Sequence, residues 1–390
     1  MSWSTIEQHM NVWPYVREAL YEKYEIIDWI DILRNDRDIH PQRLYNVLKP
    51  LANRSFESNQ RVVVLHRDND YYCNEFGFNT WNLYKIISKL NIASEYMIML
   101  TPYKGLELEN QKLAAHFNVP PMKVVHCQYQ YCPLPESVIP IEGNKHLIKY
   151  PYVCLNGVPR NHRMYVLCQL QQNKMLDSGM VTLWPDRTMD MFLGGEPEAT
   201  DEPVPRGLHL RTNHPPTRVN DELFLSADQA RVFHGLHNKV YGTRTHPLVE
   251  KEPNHPATRY QPGFLQHALW NLVTESIGEY PYAYFSEKTF KAVLTKRPFI
   301  LLGGINSLRD FKDLGFKTFD RWIDESYDQQ STFADRADRA ISALAPFCNM
   351  TGDQLQDFYE QITPIVEYNF NHYCTNFGVT RLENMLTNLL

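Results

Sequence analysis

The residues best equipped for chemistry are Ser286-Glu287-Lys288-Thr289, with Glu275 upstream and Arg160 and Arg163 earlier in the chain. Two guanidiniums and an ammonium suit a diphosphate. Ser286 is a good N-cap, and Glu287 puts a carboxylate in the first helical turn, where the helix dipole favours it. Lys288 therefore opens a helix, and Arg160 and Arg163 flank the start of another. Exposed amides at a helix N-terminus, beside a cation, make a site for phosphate. Glu275 and Glu287 are placed to accept hydrogen bonds from ribose or sugar hydroxyls. The plainer reading is a helix cap and solvated surface arginines. Spacing alone does not separate the two.

The elements that must position these residues alternate between strand and helix. In the first half, Arg61–Leu65, Tyr96–Leu100 and Lys123–Cys127 read as strands, with helices over Asn79–Leu90 and Leu106–Phe117. Leu83, Ile86, Ile87 and Leu90 share one helical face. Val16–Leu33 and Pro41–Leu51 have helical spacing. Pro133–Lys149 carries three prolines and marks a boundary. The alternation restarts with Tyr152–Leu155, a helix over Asn161–Gln172, and strands at Met180–Leu183 and Leu269–Thr274. Tyr282–Phe285 then reads as a strand running directly into the Ser286 helix, followed by the apolar strand Phe299–Leu302. Residues 194–222 and 243–262 read as irregular, 306–345 as helical pieces, and 352–390 as one or two terminal helices. Such alternation predicts an α/β fold with parallel sheets, as two Rossmann-like units facing a cleft. In open sheets of this kind ligands bind beyond the carboxyl ends of the strands. Neither Gly-x-Gly-x-x-Gly nor Gly-x-x-x-x-Gly-Lys-Ser/Thr occurs, so the dinucleotide and P-loop signatures are missing.

Composition narrows the class. The chain has 390 residues, enough for two cores, and a net charge of −6, which argues against a surface basic all over. No apolar run approaches the roughly 18 residues that suggest a membrane span. The N-terminus lacks a signal-peptide pattern. Seven scattered cysteines, an odd number, point to a reducing, cytoplasmic setting. His234-Gly-Leu-His237 has a spacing that can bind zinc, but no convincing third ligand follows it.

Certain segments together resemble the donor half of certain glycosyltransferases. They are Leu155-Asn-Gly-Val-Pro-Arg-Asn-His-Arg163, Val273-Thr-Glu275, Phe285-Ser-Glu-Lys-Thr289, Arg297-Pro-Phe-Ile-Leu-Leu-Gly303, Gly315-Phe-Lys-Thr-Phe319 and Asp324-Glu-Ser-Tyr-Asp328. They are similar to the fucosyltransferase type, whose donor motif is Thr-Glu-Lys-Leu before an apolar strand ending in Gly. They look closer still to glycosyltransferase-like proteins of tailed bacteriophages. The resemblance covers roughly residues 150–330; over the first half it is limited to Val62–Phe78. Ser286 stands where the fucosyltransferase pattern has Thr, and Thr289 and Phe290 where it has Leu and Trp.

The resemblance implies a GT-B arrangement: an acceptor-side domain at 1–145, a nucleotide-sugar domain at 146–345, and terminal helices at 346–390 packing back on the first domain. It implies that Lys288 and Arg160 hold phosphate, that Glu287 meets the ribose and that Glu275 lies near the sugar. Glycosyl transfer with inversion needs a base within reach of the acceptor hydroxyl. Asp70 closes the polar loop after Val62–Leu65 and is the first candidate, with Asp68 and Glu75 in reserve. Asp68-Asn69-Asp70 is also an Asp-x-Asp triplet of the kind that binds a divalent metal, but it lies in the wrong half for the phosphate site. No metal or other cofactor is expected, the nucleotide-sugar being a co-substrate.

The phage likeness makes a hydroxymethylated base in double-stranded DNA the first acceptor candidate. Arg54, Arg61, Arg67, Lys104, Arg211, Arg218, Lys239, Arg244 and Arg259 would track its backbone, and Tyr71, Tyr72, Phe76, Phe78 and Trp81 would stack on a base. A saccharide or protein acceptor, and a non-catalytic module binding a nucleotide or nucleic acid, remain open.

Overall fold

The computed structural model describes residues 24–28, 41–57, 60–65, 78–126, 148–156, 161–183, 265, 267–278 and 283–376. Among these residues two four-stranded sheets, parallel throughout, carry the fold. The first contains β1 (Glu25–Asp28), β2 (Val62–Leu65), β3 (Met97–Thr101) and β4 (Lys123–His126) in that order. The second contains β5 (Tyr150–Asn156), β6 (Met180–Leu183), β7 (Ala268–Thr274) and β8 (Phe299–Leu302), ordered β6-β5-β7-β8. The chain is thus a mixed α/β protein with parallel sheets, as the alternation predicts.

Each strand of the first sheet sorts its side chains by the two-residue period of a pleated strand. Val62 and Val64 of β2, with Met97 and Met99 of β3, face a cluster with Leu44, Leu48, Leu83, Ile87 and Leu113. Those residues come from α1 (Pro41–Leu48), α2 (Phe78–Leu90) and α3 (Leu106–Phe117). The alternate residues Val63, Leu65, Ile98 and Leu100 belong to the large cluster that also holds the core of the second sheet. Apolar residues on both faces explain the unbroken runs that identify these strands in the sequence.

Two local expectations are corrected. Helical spacing over Val16–Leu33 does not hold at Glu25–Asp28, which pairs with Val62–Leu65 as an edge strand. Ile26 and Ile27 are β-branched, and partners on β2 outweigh a weak helical period. Of the expected strand at Tyr282–Phe285, the described part, Ala283–Phe285, is not strand either. Ala283–Ser286 is irregular and buried. Its apolar residues fill the core, and the strand that leads to the Ser286 helix is β7.

The second sheet is covered by α4 (Asn161–Gln172), α5 (Glu287–Leu294), α6 (Ser307–Asp313), α7 (Phe333–Leu344) and α8 (Gly352–Asn376). Thr332 caps α7: its hydroxyl accepts from the Asp335 amide at 3.1 Å and donates to the Asp335 carboxylate at 2.7 Å. Trp270 of β7 is fully buried among Phe319, Phe347 and Phe358, with ring centroids 5.2–6.3 Å away. Helix α8 runs along α5 and the second sheet, with Ile362, Val366 and Tyr373 in that core. A return to the first sheet would fall on 377–390, outside the described residues, as does the expected boundary near 145. No described helix is long and apolar enough to cross a membrane.

Trp270→Ala should cost roughly 3–5 kcal/mol in urea unfolding, because the cavity cannot collapse against three rings. Leu108→Ala, at a side chain 57% exposed, should stay within about 0.5 kcal/mol of wild type.

Candidate functional site

The site is built where β7 ends. Thr274 donates its hydroxyl to the Asn156 side chain at 2.6 Å, tying the carboxyl ends of β7 and β5 together. The next residue, Glu275, is completely buried. One carboxylate oxygen accepts from the Ser286 amide at 3.0 Å and the Thr289 hydroxyl at 2.5 Å. The other accepts from the Ser276 amide at 3.1 Å and the Ser286 hydroxyl. Ser286 caps α5, its hydroxyl accepting from the Lys288 amide at 3.3 Å. An anion therefore already sits at the N-terminus of α5, and it is the protein's own.

That corrects the expectation of exposed helix amides. Ser286, Thr289, Ser276, Glu275 and Glu287 are all buried. The cause is the βαβ crossover, which folds the N-terminus of α5 back over the end of β7. Lys288 is the part of the cluster that reaches solvent, its side chain 19% exposed. Its ammonium donates to Ser276 Oγ at 2.9 Å, Ser286 Oγ at 3.2 Å and Glu287 Oε1 at 2.8 Å. Lys291 lies one turn further along α5. Burial pulls its pKa down to about 8, opposed by the Glu287 charge and reinforced by Lys288.

Two residues of α4 meet the same strand end. His162 is 2.8 Å from the Glu275 carbonyl through Nε2. A carbonyl only accepts, so Nε2 carries the proton. Arg163 is buried rather than solvated, and its guanidinium donates to that carbonyl at 3.4 Å. From α7, Arg336 donates to the carbonyls of Gly278, Gln330 and Ser331 at 2.7–3.2 Å. Gly278 is required there: an added Cβ would stand 2.6 Å from the Phe333 ring and 3.0 Å from that of His162. The loop after β7 is thus gripped by α4, α5 and α7. Gly303, after β8, closes the other side: a Cβ on it would lie 3.7 Å from Glu275 Cγ.

Beyond Gly303 a cavity of about 510 Å³ is lined by Asn306, Arg309, Lys312, Asp324, Glu325 and Asp328, among others. Asp328 is buried, and burial raises its pKa to about 7, although the Leu308 and Arg309 amides stabilise its charge.

Of the residues singled out in sequence, the structure gathers Glu275, Ser286, Glu287, Lys288, Thr289 and Arg163 at one strand end. Arg160, Asp68, Asp70 and Glu75 lie outside the described residues, as do His234 and His237. Trp81 packs on His116 and Phe117. Arg54 pairs with Glu25 at 2.5 Å, Arg61 lies over the Tyr96 ring, and Lys104 reaches Asp310 and Asp313. Ser276, Lys291 and Arg336 carried no sequence signal of a role here. His162 stands inside the Asn-His-Arg part of the resembling segment without a role of its own. Among the described residues no group of three His, Cys, Asp or Glu is arranged to hold a metal.

No family model and no curated protein matches the chain. Among solved structures, spinosyn rhamnosyltransferase SpnG is similar at a TM-score of 0.31 and 9% identity, over 83% of this chain and 72% of that one. A likeness of that size carries no argument about fold or activity.

Asp328 gives a pH test. Its folded pKa lies above the unfolded value, so the folded protein binds the extra proton between about pH 4 and pH 7. Stability should fall as pH rises through that window. In Asp328→Asn, which keeps an acceptor for the α6 amides, the fall should be shallower, as read by urea midpoints at pH 4.5, 5.5, 6.5 and 7.5.

Proposed function

We propose that this chain is a glycosyltransferase. It would move a sugar from a nucleotide-sugar to an acceptor hydroxyl, with two Rossmann-like domains of GT-B type facing each other across a cleft. The observation that carries the reading is Lys288, a part-exposed ammonium at the start of α5 beyond the carboxyl end of β7. This is where open parallel sheets take anionic ligands. The acceptor oxygen forms a bond to the anomeric carbon as the bond from that carbon to the diphosphate oxygen breaks. Lys288, with Arg160, takes the charge that develops on the leaving diphosphate.

Because Lys288 already has three acceptors, a phosphate oxygen would displace the Ser276 hydroxyl or the Glu287 carboxylate. Lys291 then remains beside Glu287 to balance it. Glu275 and Thr289 hold the helix start in register rather than touching the ligand, and Arg163 stiffens the strand end. Asp70, with Asp68 and Glu75 behind it, would deprotonate the acceptor from the stretch that follows β2 in sequence. No metal is needed in this scheme.

For the acceptor, a modified base in phage DNA and a saccharide or protein are both compatible with the chemistry. One observation favours the second. Arg54, Arg61 and Lys104, three cations of the supposed DNA track, are engaged within the protein. A non-catalytic nucleotide-binding module would share the donor site but release no sugar.

Calorimetry and thermal shift with UDP, GDP, CMP and their sugars test the donor site. At least one should bind wild type. Lys288→Ala should weaken it by roughly 1.5–3 kcal/mol, about 10- to 150-fold, while unfolding cooperatively. Turnover of that donor should survive EDTA. Binding of none of the panel, or unchanged affinity in Lys288→Ala, contradicts the assignment; binding without any sugar release selects the non-catalytic module.

A further inference from the structure

The turn after β3 leaves the first sheet and makes its contacts on the second. The Tyr103 ring stacks on that of Tyr284, with centroids 5.0 Å apart and planes 25° from parallel, and both residues are buried. The Lys104 amide donates to the Ala283 carbonyl at 3.4 Å. The Lys104 ammonium donates to Asp310 at 3.2 Å and to Asp313, both on α6. Asp310 is 7% exposed at its side chain and also accepts two hydrogen bonds from Arg309, at 3.0 and 3.1 Å.

The places where these contacts land give them a consequence. Ala283 and Tyr284 run straight into Phe285 and Ser286, the cap that bonds Glu275. Helix α6 follows the turn at Gly303, where an added Cβ would lie 3.7 Å from Glu275 Cγ. The two segments flanking the candidate site are therefore the two that the β3 turn holds.

We propose that Tyr103 and Lys104 are positioning residues: they clamp the first sheet onto the segments on either side of the Glu275–Ser286 contact and keep that contact in register. The stacked rings supply adhesion with little directional preference. The ammonium between two carboxylates fixes the register, since a charge-assisted hydrogen bond has a defined geometry. Lys104 is thereby spent on a contact between the two sheets and is not a cation held out to a DNA phosphate. The proposal does not depend on sugar transfer, because it concerns the geometry of the site whatever the site binds.

Amide hydrogen exchange on the full chain tests it. In Lys104→Ala, exchange over Ala283–Thr289 should speed up by roughly 10-fold while β7 keeps its wild-type protection. Lys104→Arg, which can still reach both carboxylates, should restore most of it. Asp310→Asn, which perturbs the same contact from the other side, should show the same pattern as Lys104→Ala. Unchanged exchange at Ala283–Thr289 in both Lys104→Ala and Asp310→Asn would overturn the proposal. So would an equal acceleration of β7, the mark of general destabilisation, or a failure of Lys104→Arg to restore protection.

Discussion

A buried carboxylate must find donors or lose its charge, and in this chain Glu275 finds four. They come from the residue after it and from the cap and first turn of a helix, the cap lying eleven residues further on. A carboxylate needs several donors to offset the cost of leaving water, so the end of β7 and the start of α5 have one good relative position. The rest of the site inherits that position. Ser286 caps the helix because Glu275 holds it, and Lys288 is aimed by Ser276, Ser286 and Glu287 together. His162, Arg163 and Arg336 then secure the backbone of the same loop through its carbonyls.

The arrangement places charge in layers. Glu275 is innermost and satisfied by neutral donors. Glu287 lies beside it, shared between Lys288 and the buried Lys291. Lys288 is outermost, with access to solvent. A ligand anion approaching the end of β7 thus meets a cation whose present partners are two hydroxyls and one carboxylate. Exchanging one of these for a phosphate oxygen needs no movement of the helix, because the carboxylate that organises the helix is a different one. In the proposed reading, separating the organising anion from the exchangeable one would let the site be rigid and still bind.

Much of this was legible in the sequence, for identifiable reasons. The runs Val62–Leu65, Met97–Leu100 and Phe299–Leu302 are apolar on both faces, as strands of a covered parallel sheet are. Ser286-Glu287 signals a helix start through local capping chemistry, which needs no tertiary information. What escaped depends on contacts distant in sequence. Ile26-Ile27 joins a strand because β2 lies beside it. Tyr282–Phe285 has strand composition, yet Ala283–Phe285 fills a core instead. Whether Ser286 and Glu275 face solvent or each other was decided by the crossover geometry, which residue spacing does not encode. Arg336, an ordinary residue of a charged helix, gives no hint that it ends on the Gly278 carbonyl.

The central claim is that the Glu275 charge, not merely its bulk, holds the start of α5 in place. Urea unfolding of Glu275→Gln measures this most directly. Glutamine has the same shape, but whichever oxygen its amide nitrogen replaces, a backbone amide that cannot turn to accept then faces an NH₂ group, beside a hydroxyl that loses its acceptor. A loss of about 2 kcal/mol or more, at an unchanged urea slope, is the expected result. A variant within about 0.5 kcal/mol of wild type would contradict the account.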